Sequence, residues 1–139
     1  MRDFVHLHVH TQYSILDGAS DIYELVKKAK ADGMKAIAIT DHGNMFGAKS
    51  FHSAAAKEGI KAILGVEAYL AKGHYTSKTE KIDRERNHLI ILAKNLKGYH
   101  NLIKLVSNAW LHGYYYKPRI DKELLFQYSE GLIVSSSCL

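Results

Sequence analysis

The sequence contains a single cysteine among its 139 residues, and it has no long hydrophobic run. One cysteine excludes an intrachain disulfide, which is typical of the reducing cytoplasm, so we expect a cytoplasmic protein. No apolar stretch approaches the roughly 18–20 residues that a membrane span needs. The first residues carry charge and histidine instead of the apolar segment of a signal peptide. We therefore expect no association with membranes.

The composition indicates one globular domain with an excess of histidine. The length corresponds to about one domain, and 47% hydrophobic residues suffice for a core. The net charge of +5 and the isoelectric point near 9.2 mildly favour anionic partners such as nucleic acid or phosphate esters. Nine histidines stand against three methionines and one tryptophan. This histidine content is the one compositional oddity, so we examine where the histidines lie.

Hydrophobic periodicity predicts strands that alternate with helices. The predicted strands cover residues 4–10, 35–40, 62–71, 88–94 and 131–137. The predicted helices cover residues 21–32, with Ser20 as N-cap, 47–57, ended by Gly59, an amphipathic stretch around 102–110, and about 121–128. The charged stretch 71–86 is interpreted as an exposed hairpin loop. This order predicts an α/β fold with a mainly parallel sheet.

The first predicted strand places three imidazoles on alternate residues, in "FVHLHVH" at 4–10. Side chains of a strand alternate between its faces, so Val5, Leu7 and Val9 can bury on one face. His6, His8 and His10 would then line the other. Repeated imidazole at this spacing is either chance or a metal site, and this stretch by itself does not decide between the two.

Metal-competent side chains follow the ends of several predicted strands. His8 and His10 end the first strand with Asp17 beyond it, and the others are Asp41, His42, Glu67 and Cys138. Strand ends on one face of an α/β fold converge, so these side chains should meet. His88 opens its strand instead of closing it. If 71–86 is a hairpin, that strand runs antiparallel to 62–71, and His88 lies at the same edge.

This mixture of side chains suits a cluster of metal ions. Imidazole and thiolate favour zinc-like ions, whereas a carboxylate can bridge two ions or suit harder manganese. Neighbouring ions can hold a phosphoryl oxygen, lower the pKa of a bound water and stabilise a leaving oxygen. The pattern therefore predicts phosphoester hydrolysis.

Five motifs in order resemble the polymerase-and-histidinol-phosphatase (PHP) domain: "HLHVHT", "TDHGN", "GVEAY", "NHLIILAKN" and "SSSCL". The stretch "GYHNLIKLVSNAWLHGYYYKPRID" is similar to the branch of the family found at the N-terminus of bacterial replicative DNA polymerases. The resemblance runs along essentially the whole chain. "HxH" alone would be weak evidence, but five motifs in order are specific.

The resemblance implies part of a distorted seven-stranded β/α barrel with up to three zinc or manganese ions. It assigns His8, His10 and Glu67 to one ion, Glu67, His88 and Cys138 to a second, and Asp17 and His42 to a third. Family members commonly add an Asp-x-His pair near the end of the domain, and none follows Cys138 here. We therefore expect residues 1–139 to be the N-terminal portion of a PHP domain. We also expect graded occupancy, with the second ion bound best, and little activity of this piece alone.

The resemblance implies a DNA-directed DNA polymerase whose Mg²⁺-dependent nucleotidyl-transfer site lies downstream, with a metal-dependent 3′→5′ exonuclease in this segment. The implied partners are DNA, a sliding clamp and a proofreading subunit. Two alternatives remain, a stand-alone phosphoesterase of the histidinol-phosphatase type and a non-catalytic scaffold domain. Missing strands would leave an unpaired sheet edge, so we also expect self-association.

Some polar residues favour a structural role or leave it undecided. His6 replaces the Asp with which the family usually opens its first motif, so it is assigned beside the metals and not to them. Asp41 is either a turn or cap residue in "TDHGN" or a residue that contacts metal or orients a ligand. The stretch from Tyr114 to Tyr116, with Lys117 and Arg119, either stacks on nucleic acid or braces the barrel, and bracing is favoured.

Overall fold

The structure is a computed structural model that describes residues 4–79 and 81–137, with helices packed on a mixed sheet. The helices are α1 (Ile22–Ala31), α2 (Ala48–Glu58), α3 (Leu96–Leu111) and α4 (Lys122–Gln127), with a 3-10 turn at Lys81–Arg84. The strands are β1 (Ala36–Ile39), β2 (Lys61–Ala71), β3 (Arg86–Ala93), β4 (Tyr114–Tyr115), β5 (Lys117–Ile120) and β6 (Leu132–Ser136). No helix within the described ranges is long and apolar enough to cross a membrane.

The helices lie where the apolar periodicity predicts them, but α3 begins at Leu96, before the predicted stretch around 102–110, and the N-cap of α1 differs. Asp21 caps α1, because its carboxylate accepts hydrogen bonds from the backbone N–H groups of Tyr23 and Glu24. The expected cap, Ser20, is therefore wrong by one residue. Gly59 ends α2 in the left-handed conformation, as expected.

The sheet has the strand order β4-β5-β2-β3-β6, and β1 pairs with the first half of β2. The pairs β1–β2 and β2–β5 are parallel. The pairs β2–β3, β3–β6 and β4–β5 are antiparallel, so the expected mainly parallel sheet is wrong. The reason lies in the hairpin at 72–85, because it reverses the chain and sets β3 antiparallel to β2.

The first predicted strand is not a regular strand. The His6 carbonyl accepts a hydrogen bond from the Ala38 N–H, and the Val9 carbonyl accepts one from the Thr40 N–H. The two acceptors are three residues apart in the chain but the two donors only two, so the pairing is not that of a regular sheet. The Val9 N–H bonds the Thr40 hydroxyl at 2.8 Å and so leaves the backbone ladder. The chain bends at His8, and Leu7 is exposed instead of buried. The extended segment therefore lies beside β1 without the alternation of faces that the sequence predicts.

Two apolar clusters surround the sheet. On one side α3 and α4 pack through Leu102, Leu105 and Leu124 against Val66 and Ile91. The other cluster joins α1 and α2 to β1. Along β2, Val66, Ala68 and Leu70 face the first cluster, so the alternate residues Glu67 and Tyr69 point to the opposite face.

Strand β6 is an edge strand on the described part of the chain, where it pairs with β3 alone. Ile133 and Val134 are exposed, although they point to opposite faces of the strand. We expect the 139-residue chain to self-associate through this edge, because its unpaired backbone groups and apolar side chains can template another strand. Sedimentation velocity should show oligomers that Val134→Lys shifts to monomer. Unchanged sedimentation of Val134→Lys, or a monomeric parent chain, would contradict this expectation.

Candidate metal centre

Glu67 is buried at the centre of four histidines. Its Oε2 atom lies 3.0 Å from His8 Nε2 and 2.8 Å from His10 Nε2. His42 Nδ1 lies 3.4 Å from Oε2, and His88 Nδ1 lies 3.4 Å from Oε1. The sequence-based expectation that these five residues meet is therefore matched by the geometry of the described chain.

Backbone pairing places three of these side chains together. The chain after β1 continues alongside β2, with Glu67 N–H donating to Asp41 O and Gly43 N–H donating to Glu67 O. This pairing sets His42 directly beside Glu67. On the other side, Tyr69 pairs with His88 across the β2–β3 hairpin, so His88 and Glu67 are diagonal neighbours on one face. The antiparallel pairing predicted for the His88 strand is confirmed.

His10 is oriented by a relay from a buried carboxylate. The Ser14 hydroxyl donates to Asp41 Oδ1 at 2.7 Å and lies 2.7 Å from His10 Nδ1. Because the single hydroxyl hydrogen goes to Asp41, Nδ1 of His10 must carry the proton, and Nε2 presents its lone pair to Glu67. Asp41 also accepts from the Thr11 backbone and hydroxyl. Of the roles open to Asp41, which are a turn or cap, metal contact and orientation of a ligand, these contacts support orientation.

The electrostatics of the cluster keep the carboxylate charged and two imidazoles neutral. Burial alone would raise the pKa of Glu67. Hydrogen bonds from Ser137 and His8, with the charges of His42 and His8, lower it to about 2. Burial lowers the pKa of His10 and of His88, although the Glu67 charge opposes this shift. An ionised carboxylate and neutral imidazoles are the forms that bind divalent metal.

The donor set fits metal ions in two groups, His8–His10–Glu67 and His42–Glu67–His88. In each group the ligand atoms lie within 4.8 Å of one another. His42 Nδ1 is buried and has no hydrogen-bond partner among the described residues. His8 Nε2 and His10 Nε2 lie 3.1 Å apart and face the same carboxylate oxygen. Imidazole nitrogens and a carboxylate that converge on one point are the donor set that a bound divalent cation requires.

Two predicted ligands, Asp17 and Cys138, and the neighbouring His6 remain to be located. Asp17 is exposed and bonds His42 Nε2 at 2.5 Å, so it lies next to the second group. The pairing of Asp17 with His42 agrees with the assignment that the resemblance implies, but His42 also joins Glu67 and His88. Cys138 lies outside the described residues. His6 is exposed and packs on Phe4, away from the carboxylate.

We expect metal affinity to depend on pH with its main loss below the ordinary histidine pKa. Because the pKa values of His10 and His88 are lowered, the neutral form of each imidazole predominates at pH 6.5, and protons compete with metal mainly at lower pH. For the same reason the free energy of unfolding of the metal-free chain should fall as pH falls through 6.5. Zinc titration against a chelator from pH 7.5 to 5 measures the affinity. A loss that is complete by pH 6.5 would contradict this expectation.

A cleft of about 510 Å³ opens beside the cluster. Its metal-centre side is formed by Asp17, His42 and His88. Most of the rest of its lining is aromatic or basic: Tyr13, Phe46, Tyr69, Trp110, Tyr114, Tyr116, Arg86 and Lys117. The cations of Arg86 and Lys117 each lie 5.6 Å from the centre of the Tyr69 ring, which stacks on His42. The cleft can therefore receive an anion next to the histidine–glutamate cluster.

Several of these residues could not be identified from the sequence. Ser14 is an ordinary polar loop residue until the fold places it between His10 and Asp41. Ser137 reaches Glu67 from the end of β6. Tyr69 lies two residues after Glu67 in "GVEAY", a spacing that puts both on one face of a strand. That spacing was the one available signal.

Comparison with known proteins places this geometry in a family. The family model described as "PHP domain" matches residues 6–139. A DNA polymerase III subunit alpha from Treponema pallidum is 56% identical over 98% of this chain. The chain spans only 12% of the length of that relative.

Solved structures share the architecture. An amidohydrolase from Chromobacterium violaceum with bound sulfate has a TM-score of 0.54 at 26% identity, over 76% of this chain and 32% of the other. A protein from Bifidobacterium adolescentis, assigned as a metal-dependent phosphoesterase, has a TM-score of 0.55 at 20% identity, over 78% and 34%. These likenesses confirm the expected fold class, part of an α/β barrel of the PHP type.

Proposed function

The chain belongs to the PHP domain family, and from that premise we propose that its histidine–glutamate cluster is a divalent-metal centre that hydrolyses phosphoesters. We further propose that the segment is the N-terminal part of a DNA polymerase III alpha subunit, with the rest of the PHP domain and the polymerase site downstream. The substrate we propose is the 3′ end of a DNA strand, cleaved in the 3′→5′ direction.

One observation carries the proposal. A single buried carboxylate, Glu67, faces four imidazoles, and the Nδ1 atom of His42 is left without a hydrogen-bond partner among the described residues. A purely structural histidine cluster would satisfy its nitrogens with protein donors and acceptors. The position of Glu67 between both groups also suits a carboxylate that bridges two ions.

The residues of the chain supply binding and orientation. Bound divalent ions would polarise a phosphoryl oxygen and lower the pKa of a water. Glu67, His8, His10, His42 and His88 would hold them, and Ser14 and Asp41 fix the direction of His10. The two cations near the Tyr69 ring, Arg86 and Lys117, attract the phosphate into the cleft.

Two other functions would give different results in the experiment described below. A stand-alone phosphoesterase would cleave small phosphomonoesters at the same centre. A scaffold domain that binds a clamp or a proofreading subunit would keep the fold without turnover. The clustered ligands argue against the scaffold, because a fold needs no group of four histidines around one buried carboxylate for rigidity.

The experiment uses the full-length polypeptide that carries this segment, loaded separately with zinc and with manganese. Single-stranded DNA labelled at its 5′ end is the substrate, with a small phosphomonoester in a parallel assay. We expect His10→Ala to reduce release of 3′ nucleotides by at least about 100-fold and to lower the metal content. His52→Ala is the matched control, since His52 is an exposed residue of α2 outside both groups.

The outcomes separate the three functions. Loss of DNA hydrolysis in His10→Ala alone supports the proposal, and nucleotide incorporation should remain unchanged in both variants. Hydrolysis of the small phosphomonoester without hydrolysis of DNA would favour the stand-alone phosphoesterase. Equal residual hydrolysis in the parent and in His10→Ala would overturn the proposal in favour of the scaffold.

A further inference from the structure

Three exposed aromatic side chains form one wall of the cleft. The Phe46 and Trp110 ring centres are 6.0 Å apart, and those of Trp110 and Tyr114 are 5.6 Å apart and nearly parallel at 24°. Their exposed fractions are 62% for Phe46, 41% for Trp110 and 47% for Tyr114. These three residues are called the aromatic platform. Large aromatic rings exposed together are unusual on a protein surface without a ligand.

The platform is fixed relative to the metal ligands. The Trp110 indole N–H donates to Gly43 O at 2.8 Å, and Gly43 directly follows His42. Gly43 has a φ of 61°, and a Cβ there would lie 2.7 Å from Pro118 Cγ, so the loop at this residue is tightly packed. Phe46 follows in the same loop, and Tyr114 belongs to β4. The rings are therefore held at a set distance from His42.

Positive charge accompanies the aromatic surface. Lys117 and Arg86 line the same cleft, and both cations lie close to the Tyr69 ring. Alternating aromatic faces and cations are the features with which proteins bind single strands, since bases stack on the rings and phosphates meet the cations. A small phosphomonoester would use the cations but would leave the rings uncovered.

We propose that Phe46, Trp110 and Tyr114 stack the terminal bases of a single-stranded DNA end and so select unpaired over paired 3′ termini. This inference rests on the proposed function for its biological use. Bases of a duplex are already stacked on one another, so a paired end must fray before it can cover the platform. The cost of unpairing makes the platform a specificity determinant that touches bases and not the reacting phosphate.

The test measures binding without turnover. Trp110 is the one tryptophan of the chain, so its fluorescence reports on the platform directly. The probe is a hexathymidylate added to the metal-free 139-residue chain, compared with a blunt duplex and with inorganic phosphate. We expect the oligonucleotide to quench the fluorescence, the duplex to bind at least about 5-fold more weakly, and phosphate to leave the emission unchanged.

Substitutions of the two outer rings test the stacking. Phe46→Ala and Tyr114→Ala should each raise the Kd of the oligonucleotide by about 5-fold to 100-fold. Tyr114→Phe should stay within about twofold of the parent, because the ring and not the hydroxyl stacks. Tyr23→Ala is the matched control, an exposed tyrosine on α1 outside the cleft. Phe46→Leu keeps the apolar bulk without the aromatic face, so it should bind as weakly as Phe46→Ala.

Each outcome bears on one proposal. Absence of quenching, equal binding of duplex and single strand, or unchanged affinity in Phe46→Ala and Tyr114→Ala would overturn the platform. Normal affinity of Phe46→Leu would indicate an apolar contact with a protein segment instead of stacking. If binding behaves as expected while the metal-loaded full-length protein hydrolyses no DNA, the platform stands and the proposed hydrolysis fails.

Discussion

Glu67→Gln is expected to remove bound metal from both groups of ligands and to lower phosphoester hydrolysis by at least about 100-fold. The amide keeps the size of the carboxylate, but it carries no negative charge and presents N–H donors toward the imidazole lone pairs. Since Glu67 is shared by the two groups, one substitution disables both. Elemental analysis of the dialysed protein and hydrolysis of 5′-labelled DNA by the full-length polypeptide measure the two effects.

Ser14→Ala is the matched comparison for this substitution. It keeps every predicted ligand and removes only the hydroxyl that links His10 to Asp41. We expect a metal affinity about 10-fold to 100-fold lower, with measurable hydrolysis at saturating metal. A Glu67→Gln protein that retains the metal content of the parent would show that the cluster is not organised around the carboxylate.

Arg119→Met is expected to destabilise the fold by about 3–5 kcal/mol, although Arg119 lies outside the proposed ligand groups. The Arg119 side chain is fully buried, and it donates hydrogen bonds to the carbonyls of Gly113, Asp83, Tyr75 and Ser77. Methionine fills similar volume but leaves these carbonyls without their donor, which costs the desolvation of each buried group. Chemical denaturation followed by circular dichroism measures the change.

Arg84→Gln provides the control from the same hairpin. Arg84 is exposed and rests on the Tyr116 ring, so its loss should change the free energy of unfolding by no more than about 0.5 kcal/mol. If Arg119→Met were as stable as Arg84→Gln, the hairpin at 72–85 would not depend on the buried guanidinium. That result would also show that the hydrogen bond from Arg119 in β5 to the Gly113 carbonyl before β4 is not needed to hold the β4–β5 pair.

The residues from Tyr114 to Arg119 have different surroundings in the structure, so they do not share one role. Arg119 braces the hairpin at 72–85, whereas the favoured interpretation has the aromatic loop brace the barrel. Tyr114 and Lys117 line the cleft, where the alternative of nucleic-acid contact remains a proposal. The sequence pattern does not distinguish bracing from nucleic-acid contact. The strands β4 and β5 are short, and their neighbouring residues point to opposite faces, so no repeat shows which face is buried. The burial of each side chain depends on the hairpin that folds over it.

Much of the secondary structure was predictable because it depends on local pattern. The apolar spacing of α1 and α3, the Gly59 stop and the long run of β2 are properties of a few consecutive residues. The short strands β4 and β5 were missed, since they are held by Arg119 and by pairing with distant residues. The first segment was predicted as a strand, but the Thr40 hydroxyl takes the place of a backbone acceptor there.

The sequence by itself determined which chemical groups are available and which strand ends carry them: imidazoles at alternate positions, a carboxylate within an apolar strand, and a hairpin that reverses His88 to the same edge. Tertiary structure alone decided that His42 faces Glu67 and His88 as well as Asp17, that Ser14 orients His10, and that three separated aromatic rings form one wall. The physical reason is the separation along the chain of the residues that interact. Side-chain alternation and turn chemistry act between neighbours in the chain. The contacts of Glu67 with His42, of Ser14 with Asp41 and of Trp110 with Gly43 join residues tens of positions apart.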